Sequence, residues 1–214
     1  APGFCEGSAW QFTWYVPHDV KGLINLIGER QFIDRLNAGF ATSEKVSFNA
    51  LGDNMGAYPI NHGNETNMQA AYLFSYTSKP WHTQKWARAI QEKYYGMGPR
   101  DAYPGDEDQG QMSSWYILSS IGLFQMDGGC SKDPVWLLGS PRFDRVEIQL
   151  DNTYYSGKKL IIKAENVSKD NCYIQSVRFN NKRLSNNYIE WSKLKKGGTL
   201  HFIMGDRPNP NAFK

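Results

Sequence analysis

Apolar residues recur at every third or fourth position through about the first 130 residues, which is the spacing of one face of a helix. The segment from Asp19 to Ile27 has such a face, and Gly28 follows it as an end signal. Pro80 precedes a further periodic run, at a position that favours a helix start. The pattern predicts helices over residues 19–27, 29–40, 67–76, 81–95 and 111–121. Helices that follow one another through loops favour antiparallel helical pairs.

After Gly128-Gly129 the spacing changes to short runs in which apolar and polar residues alternate, as they do in strands. Turn signals at Asn180-Asn181 and Gly197-Gly198 separate such runs. The pattern predicts strands over residues 135–138, 146–150, 160–163, 173–179 and 200–204. The predicted fold class is therefore α+β, with a helical unit over residues 1–130 and a small antiparallel β unit over residues 131–214. Since no low-complexity linker separates them, we expect the two units to pack together.

The composition is that of a soluble globular protein, with 214 residues of which 40 % are hydrophobic and 21 % charged. A net charge of +3 with scattered basic residues is too small and too dispersed to indicate nucleic-acid binding. No apolar stretch approaches the roughly 20 residues that span a bilayer, so no transmembrane segment is predicted. The chain begins with neither Met nor a signal-peptide pattern, and we expect an internal fragment or a processed product.

The first candidate for chemistry is Glu6, in the stretch CEGSAWQFTW. Trp10, Gln11 and Trp14 follow it closely, and an acid beside aromatic rings lies in surroundings of low polarity. Such surroundings raise the pKa of a carboxyl and keep it protonated, as a general acid must be. The alternative is a surface glutamate in a loop.

The second candidate is the loop YPINHGNETNMQ, residues 58–69, which precedes an apolar segment. Asn64 and Glu65 carry the oxygen donors that suit a hard cation such as calcium. Asn64 or Thr66 would serve equally well as a helix N-cap, and that alternative stays open. His62 is a lone histidine, for which a structural hydrogen bond is the commoner role than a ligand contact.

The third candidate is the row Asp106, Glu107 and Asp108, which stands just before the helix predicted from residue 111. A helix dipole favours negative charge at this end and holds a carboxylate ionised, as a base or a cation ligand must be. Capping of this helix would explain one acidic residue. It does not explain three adjacent acidic residues, which repel each other. Together with Glu6 the row supplies the two carboxyls that glycoside hydrolysis requires, an acid for the leaving oxygen and a base for water.

Four stretches in this order resemble the glycoside hydrolase family 92 α-mannosidases over essentially the whole chain. They are GFCEGSAWQFTWYVPHDVKGLINLIG, HGNETNMQAAYLFSYTSKPWHTQKWARAI, YPGDEDQGQMSSWYILSSIGLF and GSPRFDRVEI. The resemblance implies a C-terminal part of such an enzyme, with helical hairpins that form half of an (α/α)6 catalytic barrel, followed by the terminal β segment. The N-terminal part of the parent enzyme, which contains a β-sandwich, would be missing.

The resemblance also implies a calcium-dependent, inverting hydrolysis of terminal α-mannosides and assigns roles to single residues. Glu6 matches the general acid, and Asp106 and Asp108 match the base side. Asn64, Glu65 and, more weakly, Gln11 are the expected calcium ligands. The expected sugar contacts are Trp10, Gln11, His62, Glu65 and Glu107.

The implied partners are a mannose-containing glycan, an N-glycan or a mannan, and the missing N-terminal part. The implied location is periplasmic or extracellular, and we expect the chain by itself to hydrolyse mannosides poorly or not at all. The alternative function is a non-catalytic carbohydrate-binding or structural module, whose aromatic side chains stack on sugar and whose acids only cap helices. The presence of acids at all three motif positions argues against this alternative.

Overall fold

Helices occupy the first part of the chain and strands the last part, in a computed structural model that describes residues 3–50, 56–103, 105 and 107–214. The α-helices are α1 (Ala9–Phe12), α2 (Val20–Ile27), α3 (Glu29–Ser43), α4 (Glu65–Met68), α5 (Trp81–Lys93), α6 (Gln111–Ile121) and α7 (Trp191–Leu194). Short 3₁₀ helices cover Glu44–Val46 and Ala70–Tyr76. The α+β fold class predicted from the sequence is confirmed.

The strands are β1 (Leu123–Phe124), β2 (Val135–Leu138), β3 (Arg145–Gln149), β4 (Lys159–Glu165), β5 (Tyr173–Phe179), β6 (Lys182–Arg183), β7 (Tyr188–Glu190) and β8 (Gly198–Gly205). Within the described residues they form a three-stranded sheet in the order β1-β2-β7 and a five-stranded sheet in the order β3-β4-β8-β5-β6. Each predicted strand corresponds to an observed one, within three residues at either end.

The expectation of a purely antiparallel β unit is wrong for the larger sheet. Strands β4 and β8 run parallel, from Leu160 opposite Gly198 to Glu165 opposite Ile203. Parallel neighbours need a long crossover connection, and here β5, β6, β7 and α7 lie between the two strands in the chain. Alternation of apolar and polar residues reports which face is buried but not the direction of the neighbouring strand, so the pattern did not predict this pair.

Helix α2 illustrates how the local sequence sets an element's ends. Asp19 caps it by accepting a hydrogen bond from the Gly22 amide at 2.8 Å. Gly28 follows with φ 87°, a left-handed value that glycine adopts at little cost. The helix predicted over residues 67–76 is instead divided at Gln69. The Gln69 side chain donates to the Thr66 carbonyl at 3.1 Å, the group that a continuous α-helix would pair with residue 70.

Two apolar cores lie under these elements. The helical core is rich in aromatic rings and includes Phe32, Phe40, Phe74 and Trp86. The buried residues of the sheet core are mostly aliphatic and include Ile162, Ile174, Val177, Leu200 and Phe202. Phe124 of β1 stacks on Tyr72 with ring centres 4.1 Å apart, and so belongs to the helical core although it lies in a strand. The division at residue 130 stays a prediction. No helix among the described residues has the length and apolar character needed to cross a bilayer.

Arg88 of α5 connects the helices to the β segment. It is only 4 % exposed, and its guanidinium donates to the Ser168 carbonyl at 2.8 Å, the Ser140 hydroxyl at 3.0 Å and the Pro141 carbonyl at 2.5 Å. These acceptors lie in the connections that follow β2 and β4. A planar guanidinium reaches all three at once, which a single ammonium group does not.

We therefore predict that Arg88→Lys destabilises the protein by about 2–4 kcal/mol, because it leaves buried acceptors unpaired. Denaturant unfolding followed by circular dichroism measures the change. The matched control is Arg30→Lys, at a fully solvated position of α3, which should shift the free energy of unfolding by less than about 0.5 kcal/mol. Equal unfolding midpoints for the two variants would contradict the role of Arg88 in connecting the helices to the β segment.

Candidate active site

The loop that contains Gly63 and Glu65 and the loop that contains Gly105 and Asp108 meet at the hydroxyl of Tyr94. A Cβ atom on Gly63 would lie 2.5 Å from the Tyr94 hydroxyl oxygen. A Cβ atom on Gly105 would lie at the same distance from that oxygen and 3.3 Å from the Cα of Gly63. Gly63 does not have a left-handed backbone, so lack of space is the constraint that requires glycine at this position. This close approach brings residues 62–65 beside Gly105 and the loop that continues at residues 107–108.

The result of the approach is a contact between two carboxyl groups. The hydrogen bond with Asp108 raises the pKa of Glu65, and the negative charges of Asp108 and Glu6 act in the same direction. A hydrogen bond to the Glu65 main chain acts against them. Two carboxyls this close share a proton more readily than they ionise together. Glu6, Glu65 and Asp108, from three separate loops, therefore form one acidic cluster.

Two members of the acidic cluster have an unusual backbone. Glu6 has φ 53° and Asp108 has φ 46°, both in the left-handed region, and Gln109 follows with φ 63°. For residues with a side chain this conformation costs about 1–3 kcal/mol, and it is concentrated at functional sites. The strain therefore supports a functional role for this pair of acids.

Glu107 accepts hydrogen bonds at the start of helix α6. Such capping was the alternative explanation for the row of three acids. The Glu107 carbonyl accepts from the Gln111 amide at 3.0 Å, and its Oε1 accepts from the Ser113 amide at 3.3 Å. Its Oε2 is buried and has no hydrogen-bond partner among the described residues. The carboxylate is thus turned toward the start of α6, and the predicted sugar contact at Glu107 is not supported. Asp106 lies outside the described residues.

Gln11 lies behind the Glu6 loop rather than in contact with solvent. It is fully buried, and its Nε2 donates to the Tyr58 carbonyl at 2.8 Å. Its Oε1 fills the space beside Gly7, where a Cβ atom would lie 2.5 Å away. The metal and sugar contacts of Gln11 stay predictions, and the lack of exposed side-chain surface argues against them. Its role is to support the turn that carries Glu6.

His62 is also an interior residue. Its ring lies against those of Tyr94, Tyr95 and Trp115, with ring centres 4.9, 5.5 and 4.3 Å away. Its Nε2 is 2.8 Å from the Tyr95 hydroxyl, and burial lowers the pKa of His62 to about 3, which leaves the imidazole neutral. The contact with Tyr95 supports the alternative of a hydrogen-bonded structural histidine, and the sugar contact at His62 stays a prediction that its burial argues against.

Asn64 uses both ends of its amide inside the protein. Its Oδ1 caps α4 by accepting from the amide of Thr66 at 3.2 Å and from the Thr66 hydroxyl at 3.1 Å. Its Nδ2 donates to the main-chain carbonyl of Glu6 at 2.5 Å. Since an amide oxygen has two lone pairs, the oxygen has none left for a cation. The N-cap alternative is confirmed, while the calcium contact of Asn64 stays a prediction that this use of the oxygen argues against.

Glu65 is the one predicted calcium ligand that fits a hard cation. Its carboxyl is partly exposed and stands against the carboxyl of Asp108, so two oxygen donors face the same place. Over residues 3–50, 56–103, 105 and 107–214, no group of three or more His, Cys, Asp or Glu side chains is close enough to hold a metal ion. Calcium binding therefore stays a prediction.

An open cleft of about 360 Å³ borders Glu65. Residues that the sequence did not single out line it, among them Tyr15, Gln111, Trp115 and Gln125. Trp10, a predicted sugar contact, is 54 % exposed on α1, and the Arg35 guanidinium lies 5.6 Å from its ring centre. An acidic cluster beside a cleft with aromatic and amide side chains has the composition of a sugar-binding site.

The chain resembles known glycoside hydrolases along almost its full length. The sequence profile of the glycosyl hydrolase family 92 catalytic domain matches residues 1–206. An uncharacterized secreted glycosidase of the fungus Arthroderma benhamiae is 29 % identical over 203 residues, which are 94 % of this chain and 23 % of the fungal protein. The chain thus spans about a quarter of the length of that relative.

Solved structures give the same result. A family GH92 inverting mannosidase from Bacteroides thetaiotaomicron VPI-5482 is 33 % identical with a TM-score of 0.82, over 98 % of this chain and 29 % of that one. A family GH92 α-mannosidase from Bacteroides thetaiotaomicron, in complex with mannoimidazole, is 30 % identical with a TM-score of 0.81, over 100 % of this chain and 29 % of that one.

The contact of the two loops over Tyr94 generates a prediction for a double-mutant cycle. Gly63→Ala should cost about 1–3 kcal/mol of stability, because the added methyl group overlaps the Tyr94 hydroxyl. Tyr94→Phe should restore most of that loss in the double variant, since the next ring atom lies 3.5 Å from the added methyl group. Chemical denaturation of the four proteins gives the coupling energy, which we expect to exceed about 1 kcal/mol. Additive effects of the two substitutions on the free energy of unfolding would show that the contact with the Tyr94 hydroxyl is not the reason for glycine at position 63.

Proposed function

Since the chain belongs to glycosyl hydrolase family 92, we propose that it is part of the catalytic domain of an inverting α-mannosidase that removes terminal mannose from N-glycans or mannans. One observation carries the proposal: Glu6, Glu65 and Asp108 come from three separate loops and form one acidic cluster beside an open cleft. A cluster of like charges is unfavourable for folding unless something positive or a proton is shared. Its presence in the fold supports a chemical use.

The proposed acid is Glu6, on an exposed turn where its carboxyl can reach a leaving oxygen. The proposed base is on the opposite side, at Asp108 or at Asp106, which lies outside the described residues. Inversion then follows when water, activated by this carboxylate, attacks from the face opposite the leaving group.

We extend the proposal to calcium, with Glu65 as a ligand and the Asp108 carboxyl beside it as a second oxygen donor. Bound calcium would act as a Lewis acid and template for sugar hydroxyls. Buried Asn64 and Gln11 would act only by holding the loops that carry Glu65 and Glu6.

The substrate and the location are also proposals, because the chain spans 29 % of the solved mannosidases. We propose that the rest of a longer parent enzyme completes the sugar pocket, and that this chain alone hydrolyses mannosides poorly. A location outside the cytoplasm, periplasmic or extracellular, is supported by the secreted fungal relative.

The role of Glu6 is tested by the leaving group. In a longer polypeptide that contains this chain, Glu6→Gln should lower kcat/KM for a mannose disaccharide by about 10²–10⁴, the usual contribution of a general acid. Hydrolysis of 2,4-dinitrophenyl α-mannoside should fall much less, because that leaving group needs no proton. Steady-state kinetics on both substrates measure the difference. Glu165→Gln, at an exposed position of β4, should change neither rate. An unchanged rate on the disaccharide in Glu6→Gln would refute the assignment.

The calcium proposal is tested without reference to activity. Calcium added to chelator-treated protein at about 100 times its Kd should raise the free energy of unfolding by about 2.7 kcal/mol. Glu65→Gln should abolish this effect, because it removes a charged oxygen donor. Thermal unfolding in calcium and in chelator measures it, and Glu165→Gln again serves as the control. The same calcium effect in Glu65→Gln and the unaltered protein would exclude Glu65 as a ligand.

A further inference from the structure

The turn that carries Glu6 is held by a hydrogen bond whose donor lies 58 residues further along the chain. Asn64 Nδ2 donates to the main-chain carbonyl of Glu6 at 2.5 Å. Asn64 is 5 % exposed, whereas the Glu6 side chain is exposed and its backbone is left-handed with φ 53°. An exposed turn in a conformation of high energy returns to a more stable one unless a rigid neighbour holds it.

Asn64 is such a rigid neighbour because its own orientation is determined. Its Oδ1 must face the Thr66 amide, since only the oxygen of the side-chain amide can accept that hydrogen bond. The Nδ2 group must then point away from α4, toward the Glu6 carbonyl. The start of α4 and the Glu6 turn are thereby joined through one planar group.

We propose that Asn64 is the positioning residue for the general acid: it fixes the main chain of Glu6 relative to Glu65 and so sets where the acidic proton is delivered. The inference rests on the proposed function, in which Glu6 protonates the leaving oxygen. Asn64 touches neither the sugar nor the cation in this role. The adjacent residue Glu65 belongs to the acidic cluster, so the same short loop supplies one acid and positions another.

Both functions of the amide are needed at once, and this explains the residue type. Aspartate and serine are good N-caps, but neither donates to Glu6 as asparagine does. An aspartate oxygen would repel the carbonyl, and a serine side chain is too short to span the contact. Asn64→Asp and Asn64→Ser therefore remove the donor and keep the cap. Thr66→Val is the matched control, because it removes one hydrogen bond to Oδ1 and leaves Nδ2 with its acceptor.

The experiment measures kinetics of Asn64→Asp in the longer polypeptide that contains this chain, with a mannose disaccharide and with 2,4-dinitrophenyl α-mannoside. We expect kcat on the disaccharide to fall by about tenfold to a hundredfold, as for a displaced catalytic group, with little change in KM. The aryl substrate should lose far less, because its leaving group needs no protonation. Thr66→Val should leave the ratio of the two rates unchanged.

Several outcomes overturn the inference. An equal loss on both substrates, or a rise in KM with kcat unchanged, would show that Asn64 acts on substrate binding or on the fold as a whole. Unchanged kinetics would show that Glu6 needs no such support. If Asn64→Asp does not fold, Asn64→Ser is measured for the same dependence on the leaving group. When Glu6→Gln behaves as predicted and both Asn64 variants keep full activity, only the positioning role fails. When Glu6→Gln itself is fully active, the proposed function fails.

Discussion

The hydroxyl of Tyr94 is the point about which the rest of the site is arranged. Gly63 and Gly105 approach it so closely that a methyl group on either would lie 2.5 Å from its oxygen. A side chain at either position would separate the two loops, and Glu65 would then lose its contact with Asp108. The contact of these glycines with Tyr94 therefore determines the pKa of Glu65 and the pairing of the two carboxyls. It also shapes the cleft beside them, although the atoms in contact take no part in the proposed chemistry.

Beneath the acidic cluster lies a buried polar layer that fixes it. His62, Gln11 and Asn64 resemble ligands in type, yet each has a side-chain polar atom within hydrogen-bonding distance of the protein itself. The aromatic rings around His62 keep it neutral, because burial makes the charged imidazole costly. Rigid support of this kind gives exposed acids a fixed geometry, which catalysis needs more than it needs further contacts.

Much of the fold could be predicted from local pattern, because helix ends and strand faces depend on neighbouring residues. Residues 111–121 and 173–179 were predicted to be helix and strand with the bounds that the structure has. The helix over residues 67–76 was predicted wrongly, since a Gln69 side-chain hydrogen bond divides it. Among site residues, the roles of Glu6 and Asp108 stay predictions. The low-polarity surroundings predicted for Glu6 are wrong because its side chain is exposed, and the buried positions of Gln11 and His62 were not predicted. Residue type suggests a ligand, but burial depends on packing from distant segments.

Residue types and their spacing along the chain are enough to establish the family, the order of helices and strands, and the acids available for chemistry. Which acids meet depends on the fold, since Glu65 and Asp108 are brought together by glycines in separate loops. The fold also decided the parallel pairing of β4 with β8 and the inward turn of Asn64. These are contacts between residues far apart in the chain, and their energies depend on distances that no local pattern encodes.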